Sequence, residues 1–118
     1  MINVIDVHQE HDVVVMTMQE RMDILNAPML MQEMNRLLRE GGRYFIVDLS
    51  DVRFVDADGD YPLLHLLRRA QEVDGYVSLV CPPGNPIRIF YEMLHLDTLF
   101  DIVETVDAAL VKFEMALE

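Results

Sequence analysis

The chain has one cysteine, Cys81, and only two serines, Ser50 and Ser78. A lone thiol forms no intramolecular disulfide and points to a reducing compartment. Basic residues are scarce: nine Lys and Arg stand against 21 Asp and Glu, a net charge of −12 over 118 residues. A nucleic-acid binder needs positive charge facing the phosphates, and an anionic membrane surface selects the same sign. Neither nucleic acid nor a membrane is therefore expected as a partner, whereas a protein with a basic face is compatible. No apolar run approaches the roughly 18 residues of a membrane span. The opening twelve residues, MINVIDVHQEHD, lack the basic and apolar blocks of a signal peptide. A cytoplasmic protein is the expectation. The two serines supply no G-x-S-x-G elbow, and His8, His11, His65 and His95 show no paired metal-ligand spacing. Gly41-Gly42 precedes a strand instead of following one, so no phosphate-cradling loop is present. No cofactor or metal is expected.

Hydrophobic residues, at 52% of the chain, suffice for a folded core, and the length suits one domain over residues 1–118. Residues from Ile2 to Val7 and from Val13 to Met18 read as two strands of a hairpin, with Gln9–Asp12 as the turn and Gln19–Asn26 as an irregular polar stretch. Pro28 suits the first position of a helix whose inner face carries Ala27, Leu30, Met31, Met34, Leu37 and Leu38. Met29, Met31 and Met34 share that helix and suit core packing better than an adaptable binding surface. Gly41-Gly42 ends it. Tyr44–Leu49 has the near-continuous apolar character of a strand buried on both faces. A second helix buries Leu63, Leu66, Leu67, Ala70 and Val73; Val77–Cys81 is another buried strand, which makes Cys81 a core residue. Asn85 and Pro86 open a third helix with Ile87, Phe90, Tyr91 and Leu94 inward, and Phe100–Val103 is a short strand. Thr105 caps a last helix with Ala109, Leu110, Phe113 and Leu117 on its stripe. The order β-β-α-β-α-β-α-β-α predicts an α/β domain with a mixed, mostly parallel sheet of about five strands and four helices.

The densest chemistry lies between positions 48 and 60, where Asp48, Asp51, Asp56, Asp58 and Asp60 are offset only by Arg53. Strand, acidic glycine turn and helix start follow one another, the usual place for a working loop in an α/β protein. Three readings compete. A calcium loop is disfavoured, because glycine is at the fourth position instead of the sixth and Leu67 stands at the twelfth. The Asp56-Ala57-Asp58-Gly59 string also resembles the first motif of haloacid-dehalogenase-type phosphatases. That would make Asp56 a nucleophile and Asp58 an acid/base in a magnesium-dependent enzyme; yet Lys112 is the sole lysine for the phosphate, and no later acidic pair closes the metal site. The third reading is that the carboxylates cap a helix, at about 0.3–1 kcal/mol each.

Taken in order, further segments make the chain resemble the STAS domain, the fold of anti-sigma-factor antagonists. They are Arg21-Met22-Asp23 with Ala27-Pro28; Ile46-Val47-Asp48-Leu49-Ser50 with Val52, Phe54, Val55 and Asp56; Arg68-Arg69-Ala70 through Gly75 with Leu79-Val80; and Leu96 to Ile102. The resemblance implies a non-enzymatic, protein-binding switch. In such antagonists the turn reads Asp-Ser-Ser-Gly, and a kinase with a histidine-kinase-like ATP fold, itself the anti-sigma factor, phosphorylates one serine. The unmodified form binds that kinase and frees the sigma factor. Here Ala57 and Asp58 replace both serines, so this turn has no hydroxyl to modify. Asp58 is the phosphorylation-site equivalent and carries one negative charge, against about −1.5 to −2 for a phosphate. It either imitates the phosphorylated state in part, or marks a module that binds constitutively or sits in a STAS-type scaffold; a homodimer is also open. Glu20 replaces a usual glycine, and Asp60, Tyr61 and Pro62 replace small and apolar residues. Pro62 disfavours a helical Tyr61 and predicts that the second helix starts late, near Pro62. The expected partner-binding set is Asp58 as the fixed charge, Asp56 and Gly59 as shapers of the turn, and Asp60 and Tyr61 as contacts. Arg68 and Arg69 are additions, and Asp23 borders the surface.

Overall fold

The computed structural model describes residues 6–117. Its elements are β1 (Asp6–Glu10), β2 (Val13–Met22), α1 (Ala27–Arg39), β3 (Tyr44–Val55), α2 (Ala57–Glu72), β4 (Tyr76–Val80), α3 (Pro86–Met93), a 3-10 turn (Leu96–Thr98), β5 (Asp101–Val103) and α4 (Val106–Leu117). The five strands form one sheet in chain order. β1 runs antiparallel to β2, and the remaining pairs are parallel. The expected mixed sheet and four helices are what forms.

Each parallel crossover advances one strand in the same direction. Right-handed connections of that kind place their helices on one face of the sheet. Accordingly α1, α2 and α3 pack together over one face, around Met16, Met22, Met34, Phe45, Val47, Leu49, Leu63, Leu66, Leu79, Ile87 and Tyr91. The methionines of this group are core residues, while Met29 and Met31 are half-buried. Among the described residues α4 is the helix that covers the other face, where Ala109 and Phe113 meet Val13, Val15, Ile46 and Val80. Tyr44 and Tyr76 set their ring edges against Phe113, with centroids 6.1 and 5.4 Å away. Among the described residues no helix is long and apolar enough to cross a membrane.

Element ends follow local chemistry. Gly41, at φ +97°, takes the left-handed conformation that lets the chain leave α1. The Asn85 side chain accepts from the Ile87 and Arg88 N–H groups at 2.8 and 3.2 Å and starts α3. Thr105 caps α4 through Ala108 N–H at 3.0 Å. Pro28 sits at the second position of α1, still inside the first turn where its missing N–H is not needed.

Four expectations are corrected. The hairpin turn is tighter than Gln9–Asp12: Gln9 and Glu10 pair in β1, leaving His11-Asp12, with His11 at φ +56°. Of the strand expected over Ile2–Val7, residues 2–5 lie outside the described residues. The polar Gln19–Met22 stretch is strand, because it pairs with Asp51–Val55 of an equally prolonged β3; shifts of register at Thr17/Gln19 and Glu20/Arg21 absorb the mismatch. Backbone pairing overrides side-chain polarity there. Val73 and Leu94, expected inward, are exposed, since each lies just past its helix and the stripe no longer turns it to the core. The side chain of Leu117 lies outside the described residues. Finally, α2 starts at Ala57, five residues before Pro62. The Asp56 cap sets the start, and Pro62 both removes the hydrogen bond it would have given to the Asp58 carbonyl and crowds that carbonyl, a cost that the cap and the buried face of α2 offset.

Candidate functional site

The turn between β3 and α2 is built by Asp56. Its backbone is extended (φ −125°, ψ 177°), as a capping residue requires, and its Oδ1 accepts from Gly59 N–H at 2.8 Å. Its Oδ2 accepts from Ile24 N–H at 3.3 Å, across to the loop between β2 and α1. Its own N–H donates to the Met22 carbonyl at 3.1 Å. One residue thus joins the end of β2, the following loop and the start of α2.

Gly59 makes this approach possible. A Cβ there would lie 1.8 Å from the Met22 oxygen and 2.3 Å from the Asp23 nitrogen. The α2 backbone therefore rests directly on the β2 exit. With the cap beneath, Ala57 and Asp58 are left exposed on the first turn, where a helix N-terminus favours negative charge. Tyr61 is 50% exposed beside them.

The three aspartates of the turn have separate fates. Asp56 caps and Asp58 faces solvent, whereas Asp60 is only 4% exposed and accepts a hydrogen bond from the Tyr91 hydroxyl of α3. Burial raises the Asp60 carboxyl above its ordinary value, and the Tyr91 bond only partly opposes this. The Tyr91 phenol is pushed up by the same burial and by the Asp60 charge. Tyr91 itself stacks on Phe100, 5.8 Å between centroids.

Asp23 is also buried, under the β2–α1 loop. Its Oδ1 accepts from the N–H groups of Leu25 and Asn26 at 3.0 and 3.3 Å, and Arg21 binds its Oδ2. Burial alone would raise its carboxyl, but the guanidinium and the N–H donors together hold it below the usual carboxylate range. Asn26 completes the loop: its Oδ1 accepts from Asp23 N–H at 2.9 Å and its Nδ2 donates to the Arg21 carbonyl at 2.7 Å. The loop is held by polar bonds, yet its outward residues are Ile24 and Leu25, 61% and 75% exposed. Phe54, near the end of β3, is exposed as well.

Of the expected residues the fold brings together Asp23, Asp56 and Gly59 as framework, with Asp58 and Tyr61 at the surface. Asp60 is at the same turn but points inward. Arg68 and Arg69 are exposed on the same helix, about 15 Å further along its axis at 1.5 Å per residue, and Arg69 pairs with Glu72 at 3.1 Å. Ile24 and Leu25 were not anticipated. Their signal was an apolar pair inside a polar stretch that belongs to neither a strand alternation nor a helical stripe. The Asp60–Tyr91 pair was missed because its halves lie 31 residues apart.

The phosphatase arrangement is not assembled. Asp56 commits both oxygens to backbone N–H groups. Lys112 lies on α4, beyond the sheet, paired with Asp101. Among the described residues no group of three acidic, His or Cys side chains is placed to hold a metal ion. Cys81 is core, its thiol pushed up to about 12 by burial.

No curated protein matches this chain. Solved structures do. A Thermotoga maritima protein assigned as an anti-sigma factor antagonist superposes with a TM-score of 0.83 at 22% identity, covering 92% of each chain. An anti-sigma factor antagonist from Mycobacterium paratuberculosis gives 0.82 at 23% identity, over 93% of this chain and 92% of that one. The phosphorylated form of the Bacillus cell fate determinant SpoIIAA gives 0.72 at 16% identity, over 93% and 99%. At these identities the likeness is one of fold. Residues 4–109 match the family model of the STAS domain, and the chain therefore belongs to the STAS domain family.

Proposed function

We propose that this chain is a non-enzymatic regulatory module that binds an anti-sigma factor, a serine kinase with a histidine-kinase-like ATP fold, through the start of α2, and that it is not phosphorylated there. SpoIIAA, of the same fold, has phosphorylated and unphosphorylated forms. The observation that carries the reading is the division of labour in the turn. Asp56 and Gly59 fix the helix start, and within residues 56–60 the two left exposed, Ala57 and Asp58, are the positions that the resemblance sets against the family's serines. A charge at position 58 sits where the helix dipole supports it and where a docking protein meets it first. Asp58 stands in for a phosphoserine with fewer acceptor oxygens and less charge.

The test is binding and labelling with the anti-sigma kinases of the source genome. At least one should bind, and none should transfer phosphate to residues 56–60 in the presence of ATP. Asp58→Ser should then become a substrate of the kinase that binds. Phosphate on the wild-type turn, or an Asp58→Ser protein that a bound kinase leaves unlabelled, overturns the proposal. So does the absence of any binding kinase.

A further inference from the structure

The β2–α1 loop combines two properties that seldom coincide. It carries two large aliphatic side chains, Ile24 and Leu25, exposed on adjacent positions. It is also stapled by the Asp23 and Asn26 side chains, by Arg21, and by Asp56 from the neighbouring element. Apolar side chains at the tip of a mobile loop can fold back on binding surfaces or on each other. Here the bonds hold both outward, and nothing in the core needs them.

We infer that Ile24 and Leu25 form a preformed apolar anchor, and that its occupant is a partner protein offering an apolar cleft with an Arg or Lys at the rim. The inference rests on reading the α2 start as a partner-binding surface and names the chemistry of that partner. Charge sets the rim. Asp58 is exposed at the adjoining helix start, while Arg21, at the exit of β2, is tied to Asp23. With a net charge of −12 the chain also repels a second copy of itself, so a heterologous, basic partner is the complementary one. Rigidity matters because an anchor held in its bound shape loses little entropy on docking. Large side chains seated in a desolvated pocket are the residues whose truncation costs an interface most.

The experiment places a photo-crosslinking amino acid at position 25 of the full chain in cells of the source organism. A second sits at position 111, an exposed site on α4 beyond the sheet. Position 25 should capture one protein through a peptide that lines an apolar cleft and contains Arg or Lys; position 111 should not capture it. With that protein purified, Leu25→Ala should weaken binding by about tenfold or more. The loss should be equal at about 0.05 M and about 0.5 M salt, whereas Asp58→Asn should lose more at the lower salt. If the captured protein is an anti-sigma kinase, both readings stand. If it is another protein with such a cleft, the anchor stands and the kinase reading fails. Capture of a second copy of this chain, a polar or acidic contact, no capture at position 25, or a Leu25→Ala loss within about twofold each overturn the anchor.

Discussion

Replacing Gly59 by alanine separates two opposed effects. Glycine inside a helix is about 1 kcal/mol worse than alanine, so propensity alone predicts that Gly59→Ala stabilises the protein. The packing predicts the reverse. The new methyl would sit 1.8 Å from the Met22 oxygen, 1.9 Å from its carbon and 2.3 Å from the Asp23 nitrogen, all backbone atoms. No rotamer can relieve that clash, and α2 must retreat by about 1.5 Å to reach ordinary contact. The retreat stretches the Asp56 N–H bond to Met22 and the Asp56 bond to Ile24 N–H. Overpacking costs about 1–3 kcal/mol, and each lost bond about 1 kcal/mol. Against the gain of about 1 kcal/mol in propensity, the net expectation is a loss of about 2–4 kcal/mol. That is a large part of the roughly 5–15 kcal/mol typical of a domain. Gly84→Ala is the control. Gly84 has φ +81° but open space around a Cβ, so it should lose only about 1–2 kcal/mol from backbone strain. Equilibrium urea unfolding reads both. A Gly59→Ala protein as stable as the wild type would refute the close approach of α2 to β2, and with it the geometry of the turn.

Asp60→Asn should stabilise the fold at neutral pH, because burial raises the Asp60 carboxyl above its ordinary 3.8 and the ionised form is the disfavoured one. The native state then holds the proton more tightly than the unfolded chain. This group's contribution is greatest below pH 3.8, falls as pH rises from there through the folded value, and is flat above it. The gain from Asp60→Asn, measured as the shift in urea midpoint, should shrink as pH is lowered from 7 to about 4; a gain that grows on acidification would contradict it. Asp56→Ala should cost about 1–2 kcal/mol in urea unfolding through the lost cap, with Asp56→Asn retaining most of the stability because its amide oxygen still accepts from Gly59. Cys81, with its thiol near 12, should resist a thiol reagent in the native protein at pH 8 and react on unfolding; rapid native labelling would place the thiol outside the core.

Fold class, the order of strands and helices along the chain and most helix faces were legible in the residues, because they depend on periodicity and on caps such as Asn85 and Thr105 that act within a few positions. Two of the failures share one physical feature: each depends on a partner distant in the chain. Gln19–Met22 reads as loop until β3 supplies the strand it pairs with. Asp60 reads as a surface contact until Tyr91 is known to lie over it. A local hint was present, since position 60 continues the inward stripe of Leu63, Leu66 and Ala70 at helical spacing. Pro62 misled for the opposite reason. A local steric preference was weighed without the cap at Asp56, which fixes the helix start from outside it.

The register of β2 on β3 accounts for why Ala57 and Asp58 are the free positions of the turn. Met22 pairs with Val55, so β2 ends level with the residue before the cap, and the loop after β2 must emerge beside the first turn of α2. Position 56 is then needed for the cap, position 59 for the close approach and position 60 for the buried face. Within residues 56–60 only positions 57 and 58 project outward with no framework role. A side chain exchanged at either position meets no framework contact of the turn. The same exchange at 59 would strike the Met22 carbonyl. The scaffold and the signal it presents are thus separable within a single turn. The exposed Asp58 and the exposed Ile24 and Leu25 are carried by one framework, built on Asp56 and Gly59.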